Sequence, residues 1–144
     1  MRAVAFVVGL LLLHSFGHAD WYTAKTRGIF PYWQTGGPWL TIMVFVNGSE
    51  ETSDTVCVRM LDSAGESACS GAVIPLAVEI GPGQMLVFST SQYVPRWIPV
   101  SKGYGYTLFS IEDGSPVAAF SAIVNLSPEG GGYVVPAYHL DEGF

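Results

Sequence analysis

Short apolar runs rich in strand-forming residues, separated by Pro, Gly and Asn-Gly turn signals, make up most of this chain. No stretch after residue 19 sustains the 3.6-residue apolar period of a helix, and Pro and Gly recur too often to leave room for a long one. Trp39 to Val46 is an eight-residue run of β-branched, aromatic and aliphatic side chains closed by Asn47-Gly48, a strong turn dipeptide. Being apolar on both faces, it reads as a central strand. In Thr55 to Leu61 the side chains of Val56, Val58 and Met60 oppose those of Thr55, Cys57 and Arg59. Its expected partner, about 67–70, lies across the turn signal Asp62-Ser63-Ala64-Gly65.

Further along, Pro75 marks the run from Ala72 to Ile80 as an edge or a bend, and Gly81-Pro82-Gly83 ends it. Met85 to Ser89 is a short strand, followed by a long connection over 90–102 with Pro95 and Pro99 flanking Arg96-Trp97-Ile98. Tyr104 to Ile111 resumes extended structure. The segment Glu112-Asp113-Gly114-Ser115-Pro116 predicts a hairpin into Val117 to Val124, and a Pro/Gly loop over 127–132 precedes Tyr133 to Ala137. Seven or eight short strands predict a single all-β domain, an antiparallel sandwich of jelly-roll or immunoglobulin-like type, with a small barrel as the alternative.

The first nineteen residues follow another pattern. Met1-Arg2, an apolar run from Ala3 to Leu13 and the ending Gly17-His18-Ala19 read as a secretory signal peptide, so the working domain is expected over 20–144. The run is too short for a hydrocarbon core, which needs about 20 apolar residues. A secreted, periplasmic or cell-surface location follows, with no membrane insertion after cleavage. An outer-membrane barrel fits poorly, because strands of about 10 residues would leave little chain for loops, and Pro136, His139, Asp141 and Glu142 interrupt the last segment.

Charge narrows the partners. Residues 20–144 carry twelve acidic side chains against five basic ones, a formal net charge of −7, with no Lys/Arg cluster to neutralise phosphates. Nucleic acid is therefore not an expected partner. Charged residues make up 12% of the chain, about half the usual share, so much of the surface must be uncharged. Such surfaces are common where proteins meet sugars or neighbouring subunits.

Cys57 and Cys69 flank the Asp62 to Gly65 turn, and facing residues of paired antiparallel strands lie within disulfide range. Export would preserve such a bridge, so a Cys57-Cys69 disulfide worth about 3 kcal/mol is expected, with two buried thiols as the alternative. Two thiols and His139 do not make a metal site, and no cofactor is implied.

Aromatic clusters are the leading candidates for binding: Trp21-Tyr22, Phe30-Pro31-Tyr32-Trp33 ahead of the first long strand, and Trp97 between prolines. Rings with polar tips on loops suit stacking against sugars, and Tyr32, Trp33 and Trp97 are the expected ligand-binding residues. The competing account is that these rings close the core or an interface. Catalysis has less to stand on. His139 is the one histidine after residue 19, Asp141 is near it in sequence, and neither Gly-x-Ser-x-Gly nor His-Glu-x-x-His occurs. The acidic groups Glu50-Glu51-Asp54 and Glu112-Asp113 sit in turn-forming clusters and read as solvated. Asn47-Gly48-Ser49 and Asn125-Leu126-Ser127 match the glycosylation acceptor pattern. Tyrosines of Gly103-Tyr104-Gly105-Tyr106 are expected to cover neighbouring glycines across a sheet.

Gly28-Ile29-Phe30-Pro31-Tyr32-Trp33, the strand ending in Val46-Asn47-Gly48-Ser49-Glu50-Glu51, and Val56-Cys57-Val58 form an arrangement that resembles the sensory rhodopsin transducer family over most of residues 28–125. The resemblance implies a sandwich fold and oligomerisation. Those transducers act in the cytoplasm on a membrane photoreceptor, from which the leader and the cysteine pair depart. The expectation from the whole sequence is a secreted or cell-envelope, non-catalytic binding module that takes polysaccharide or another surface protein through loop aromatics. A structural, homo-oligomeric surface-assembly protein is the alternative, and a hydrolase built on His139 a second one.

Overall fold

Period-two patterning is what the chain realises. The computed structural model describes residues 24–69, 76–91, 96–100 and 103–140. Nine strands run in order: β1 Thr26–Thr35, β2 Trp39–Asn47, β3 Asp54–Asp62, β4 Leu76–Ile80, β5 Met85–Ser89, β6 Gly103–Ile111, β7 Val117–Asn125, β8 Gly132–Pro136 and β9 Tyr138–His139. They form a five-stranded sheet of order β4-β3-β6-β1-β9 and a four-stranded sheet of order β5-β2-β7-β8. All named pairings are antiparallel. The two sheets face each other as a sandwich, not a closed barrel.

Alternation decides which side chains meet between the sheets. Phe30, Val56, Met60, Phe109 and Ile111 point in from the five-stranded sheet, and Met43, Phe45, Leu86, Phe88 and Ile123 from the four-stranded one, all essentially without solvent contact. Four phenylalanines knit the centre. Phe109 contacts Phe30 at 5.0 Å and Phe45 at 5.3 Å between ring centroids, and Phe45 meets Phe88 edge-on at 6.0 Å.

Two local expectations change once the sheets are assembled. Residues 28–33, expected as a loop cluster, lie within β1. Pro31 is accommodated because the ladder with β6 breaks register between Phe30 and Trp33, a bulge at which a missing N–H costs nothing. The Glu112 to Pro116 turn is not a hairpin, since it carries the chain from β6 in one sheet to β7 in the other. Among the described strands only β3-β4 and β7-β8 are sequence neighbours that also pair; the other connections cross between the sheets. Turn chemistry is the same in both cases: Gly114 adopts a φ of 77° as a hairpin glycine would.

Buried polar side chains clasp these crossings. Asp54, 3% exposed, accepts backbone N–H groups of Thr55, Asp113 and Ser115 at 2.7, 2.9 and 2.8 Å. Burial pushes its carboxyl upward, but the three donors outweigh that and hold it below the ordinary carboxylate value. Asn47 donates from Nδ2 to the Thr52 carbonyl at 2.8 Å and accepts from the Ser49 N–H at 2.9 Å. Its amide is buried and engaged, so the first acceptor pattern for glycosylation is folded into the structure.

The expected disulfide is absent: Cys57 and Cys69 are both free thiols. The Asp62 to Gly65 turn does form, with the Gly65 N–H on the Asp62 carbonyl at 3.0 Å. Pairing on its far side ends at the single bridge Leu61 to Ser67, after which Cys69 bridges Val100. The strand that returns alongside β3 is β4, which sets Ala77 opposite Cys57. Cys69 lies instead beside the Met60 carbonyl, three residues farther along β3. The leader expected over 1–19, together with Trp21, Tyr22, Pro75, Pro95, Asp141 and Glu142, lies outside the described residues.

Candidate docking face and the placement of the aromatic residues

The three residues expected to bind a ligand do not converge. Trp33 is sealed in the core at 1% exposure, where its Nε1 donates to the carbonyls of Leu61 at 2.8 Å and Tyr106 at 3.2 Å. It offers no face to a sugar, and its place on the inner side of β1 follows from the bulge that shifts the register at Pro31. Tyr32 is half-buried and stacks between Tyr104 of β6 and Tyr133 of β8, with ring centroids 6.4 and 6.5 Å away. This row bridges the two sheets. The Tyr32 hydroxyl donates to Gln34 Oε1 at 3.2 Å, while partial burial and the adjoining Tyr32 phenol push the Tyr133 hydroxyl above its ordinary value.

Trp97 lies at the opposite border of the four-stranded sheet, alongside β5. Ser89 donates its N–H to the Arg96 carbonyl and accepts from the Ile98 N–H, which makes residues 96–98 a short parallel addition to that edge. Ile98 turns into the core, so alternation sends Trp97, 46% exposed, to the outer side.

That outer side is the most unusual surface of the molecule. None of the 28 residues of β2, β5, β7 and β8 is charged. The strand charges, Arg27, Asp54, Arg59, Asp62 and Glu79, all lie in the five-stranded sheet. Cross-strand register builds the outward residues of the four-stranded sheet into rows: Val87, Val44, Phe120 and Pro136; Met85, Val46 and Ala118; and Ser89, Ile42, Ala122 and Val134, which Trp97 extends. Ser89 is the one polar member of these rows, and its hydroxyl is occupied by the Ser91 N–H at 3.0 Å. Met85 and Val134 are 64% and 65% exposed and Phe120 40%, whereas Val44 at 8% and Ser89 at 0% are buried, so the face is open at Met85, Phe120 and Val134 and closed at Val44 and Ser89. An antiparallel sheet with one solvated face ordinarily alternates apolar with polar residues. Here the outward rows, Ser89 apart, are apolar, and the buried polar residues Thr41, Asn47 and Ser121 lie on the inner side.

At roughly 16 Å² per residue, from a rise of about 3.3 Å and a strand spacing of about 4.8 Å, the face has a footprint of about 450 Å². The largest apolar patch of a typical monomer is about 300–600 Å² and often functional, and this face lies within that range. Sequence reasoning passed over this surface, although a signal was present: Val117-Ala118-Ala119-Phe120 and Tyr133-Val134-Val135 lack the polar alternate positions of a solvated strand.

His139 sits on β9, exposed, beside a shallow depression also lined by Lys25, Thr26, Ser115, Pro116 and Val117. Among the described residues no carboxylate lines that depression. Among the described residues no three His, Cys, Asp or Glu side chains gather as a metal-binding set.

No protein-family model matches the chain, and no curated protein matches its sequence. Among solved structures, the crystal structure of Thermotoga maritima 1070 is similar, with a TM-score of 0.58 and 14% identity over 80% of this chain and 94% of that one. At that identity the likeness concerns the sandwich fold alone.

Proposed function

We propose that this chain is a non-catalytic interaction module of the cell exterior, working through the outer face of its four-stranded sheet. The observation that carries the proposal is the segregation of charge: every charged strand residue belongs to one sheet, while the other carries no charge on either side and presents apolar rows outward. A face without charges or unengaged hydrogen-bonding side chains has no chemistry to perform, but it gains about 25 cal/mol for each Å² removed from water. The double variant Phe120→Lys/Val134→Lys tests this at two exposed positions. The wild-type chain should be retained on a phenyl matrix or self-associate in light scattering, and the folded variant should do neither. A wild-type chain that is monomeric and elutes with the variant overturns the proposal.

Carbohydrate binding is the second reading, favoured by the exposed ring of Trp97 on the rim of the same face. It requires a saturable shift in tryptophan emission on titration with soluble polysaccharides, and the shift should disappear in Trp97→Ala. Polysaccharides that leave the emission unchanged would remove it.

A further inference from the structure

We infer that the tyrosine row is an oxidative cross-linking site, at which Tyr32 of β1 and Tyr133 of β8 join ring to ring as a dityrosine that ties the two sheets together. The inference does not depend on the docking face or on what occupies it. Five of the seven tyrosines lie among the described residues, and three of these, Tyr104, Tyr32 and Tyr133, make up the row. Its place in the fold is a gap between the sheets. β9 pairs with β1 only at Gly28 and Ile29, so among the described strands none flanks β1 on that side at Tyr32. Tyr133, opposite Ile123 on the inner side of β8, sets its ring across this opening. Both cysteines are free thiols, so no disulfide ties the described strands.

The Tyr32 and Tyr133 rings lie within 25° of parallel, with centroids 6.5 Å apart. Partial burial and then the Tyr32 phenol push the Tyr133 hydroxyl upward, which puts the two oxygens, and the ring carbons ortho to them, at adjoining tips. Tyr133 is 47% exposed, so an oxidant reaches it, and exposed side chains reorient on the picosecond to nanosecond scale, fast enough for two radicals to meet. The oxidant is hydrogen peroxide acting through a haem peroxidase. Each phenol gives up one electron and its hydroxyl proton, and the two phenoxyl radicals form a carbon–carbon bond between ortho positions. The ortho hydrogens then move to the oxygens and restore both phenols. Two electrons and two protons have left the pair, and they reduce one peroxide to two waters. Tyr104 lies equally near Tyr32, but it stands diagonally across the β1-β6 ladder, which holds such neighbours about 7–8 Å apart. No ladder fixes β8 against β1, so the Tyr133 side can close.

Treating the dilute full-length chain with a haem peroxidase and one equivalent of hydrogen peroxide tests the inference. Blue dityrosine emission should appear in a species that keeps the 15.5 kDa mass of one chain on a denaturing gel. Proteolysis should release a peptide pair joined through Tyr32 and Tyr133, lighter than the sum of its halves by two hydrogens. The bond closes a loop of about 100 residues, so the treated chain should unfold about 10 °C or more above the untreated one. Tyr32→Phe and Tyr133→Phe keep the ring but cannot form the phenoxyl, and each should lose the emission, while Tyr104→Phe should retain it. Tyr133→Phe, at an exposed position, carries the test alone if Tyr32→Phe fails to fold. A folded chain that gives no dityrosine overturns the inference. So does a bond that joins Tyr32 to Tyr104, that uses tyrosines outside the row, or that forms only between chains.

Discussion

The ring of Phe109 lies directly over Gly28, its partner in the β1-β6 ladder, so that a β-carbon on residue 28 would stand within 2.7 Å of Cε1. The glycine is needed for space, not for its backbone angles. Gly28→Ala must push Phe109 away from Phe30 and Phe45, the rings that join the two sheets. Overpacking of this kind costs about 1–3 kcal/mol, which should lower the urea midpoint of unfolding without changing the slope. An unshifted midpoint would show that the ring has somewhere else to go.

Trp33 is expected to report on stability and not on binding. Trp33→Phe keeps an aromatic ring but removes the donor to the Leu61 and Tyr106 carbonyls, a loss of about 1–3 kcal/mol; Trp33→Ala should cost about 3–5 kcal/mol. Thermal unfolding measures both. A Trp33→Ala chain as stable as the wild type would contradict its burial.

Asp54 gives the fold an acid-sensitive element. Its folded-state pKa lies below the ordinary value near 3.8, so the unfolded chain binds the proton more readily. The carboxylate therefore stabilises fully above about pH 4, and its contribution is lost as the pH falls through the depressed value. Asp54→Asn should lower stability at pH 7 and flatten the dependence of the unfolding free energy on pH below 4. A variant with the wild-type acid slope would place that slope elsewhere.

The two cysteines should behave as thiols. Burial pushes Cys57 up to about 11, so it should resist thiol reagents at pH 8 in the native chain and react once unfolded. Because the folded value is raised, the associated stability is complete below about pH 9 and lost as the pH rises through 11. Alkylation under denaturing, non-reducing conditions should label both cysteines. Labelling that appears only after reduction would reveal the bridge that β3 and β4 leave no room for.

In β3 the period-two pattern correctly placed Val56, Val58 and Met60 in the core and Arg59 in solvent, but not Cys57, which is buried on the opposite side. Turn glycines were readable too, since Gly65 and Gly83 adopt positive φ where Asp62-Ser63-Ala64-Gly65 and Gly81-Pro82-Gly83 predicted turns. β1 was missed because Pro31 signals a break, and only the ladder with β6 shows that the break is a bulge. Gly105 was expected to lie under a tyrosine. It faces backbone instead, with the Asp62 α-carbon 2.7 Å from where its own β-carbon would be.

The amino-acid sequence by itself determined that the chain forms strands, where most of them end and that its surface is poor in charge, because these follow from side-chain period, backbone stereochemistry and composition. Tertiary structure alone decided which turns join paired strands and which cross between sheets, since the same φ values serve both. It also decided that Cys57 faces Ala77, that Trp33 is core while Trp97 is rim, and that the uncharged strands share one sheet. Each of these depends on which distant strand pairs with which. Register is set by the summed burial of two sheets, a quantity that no local window contains.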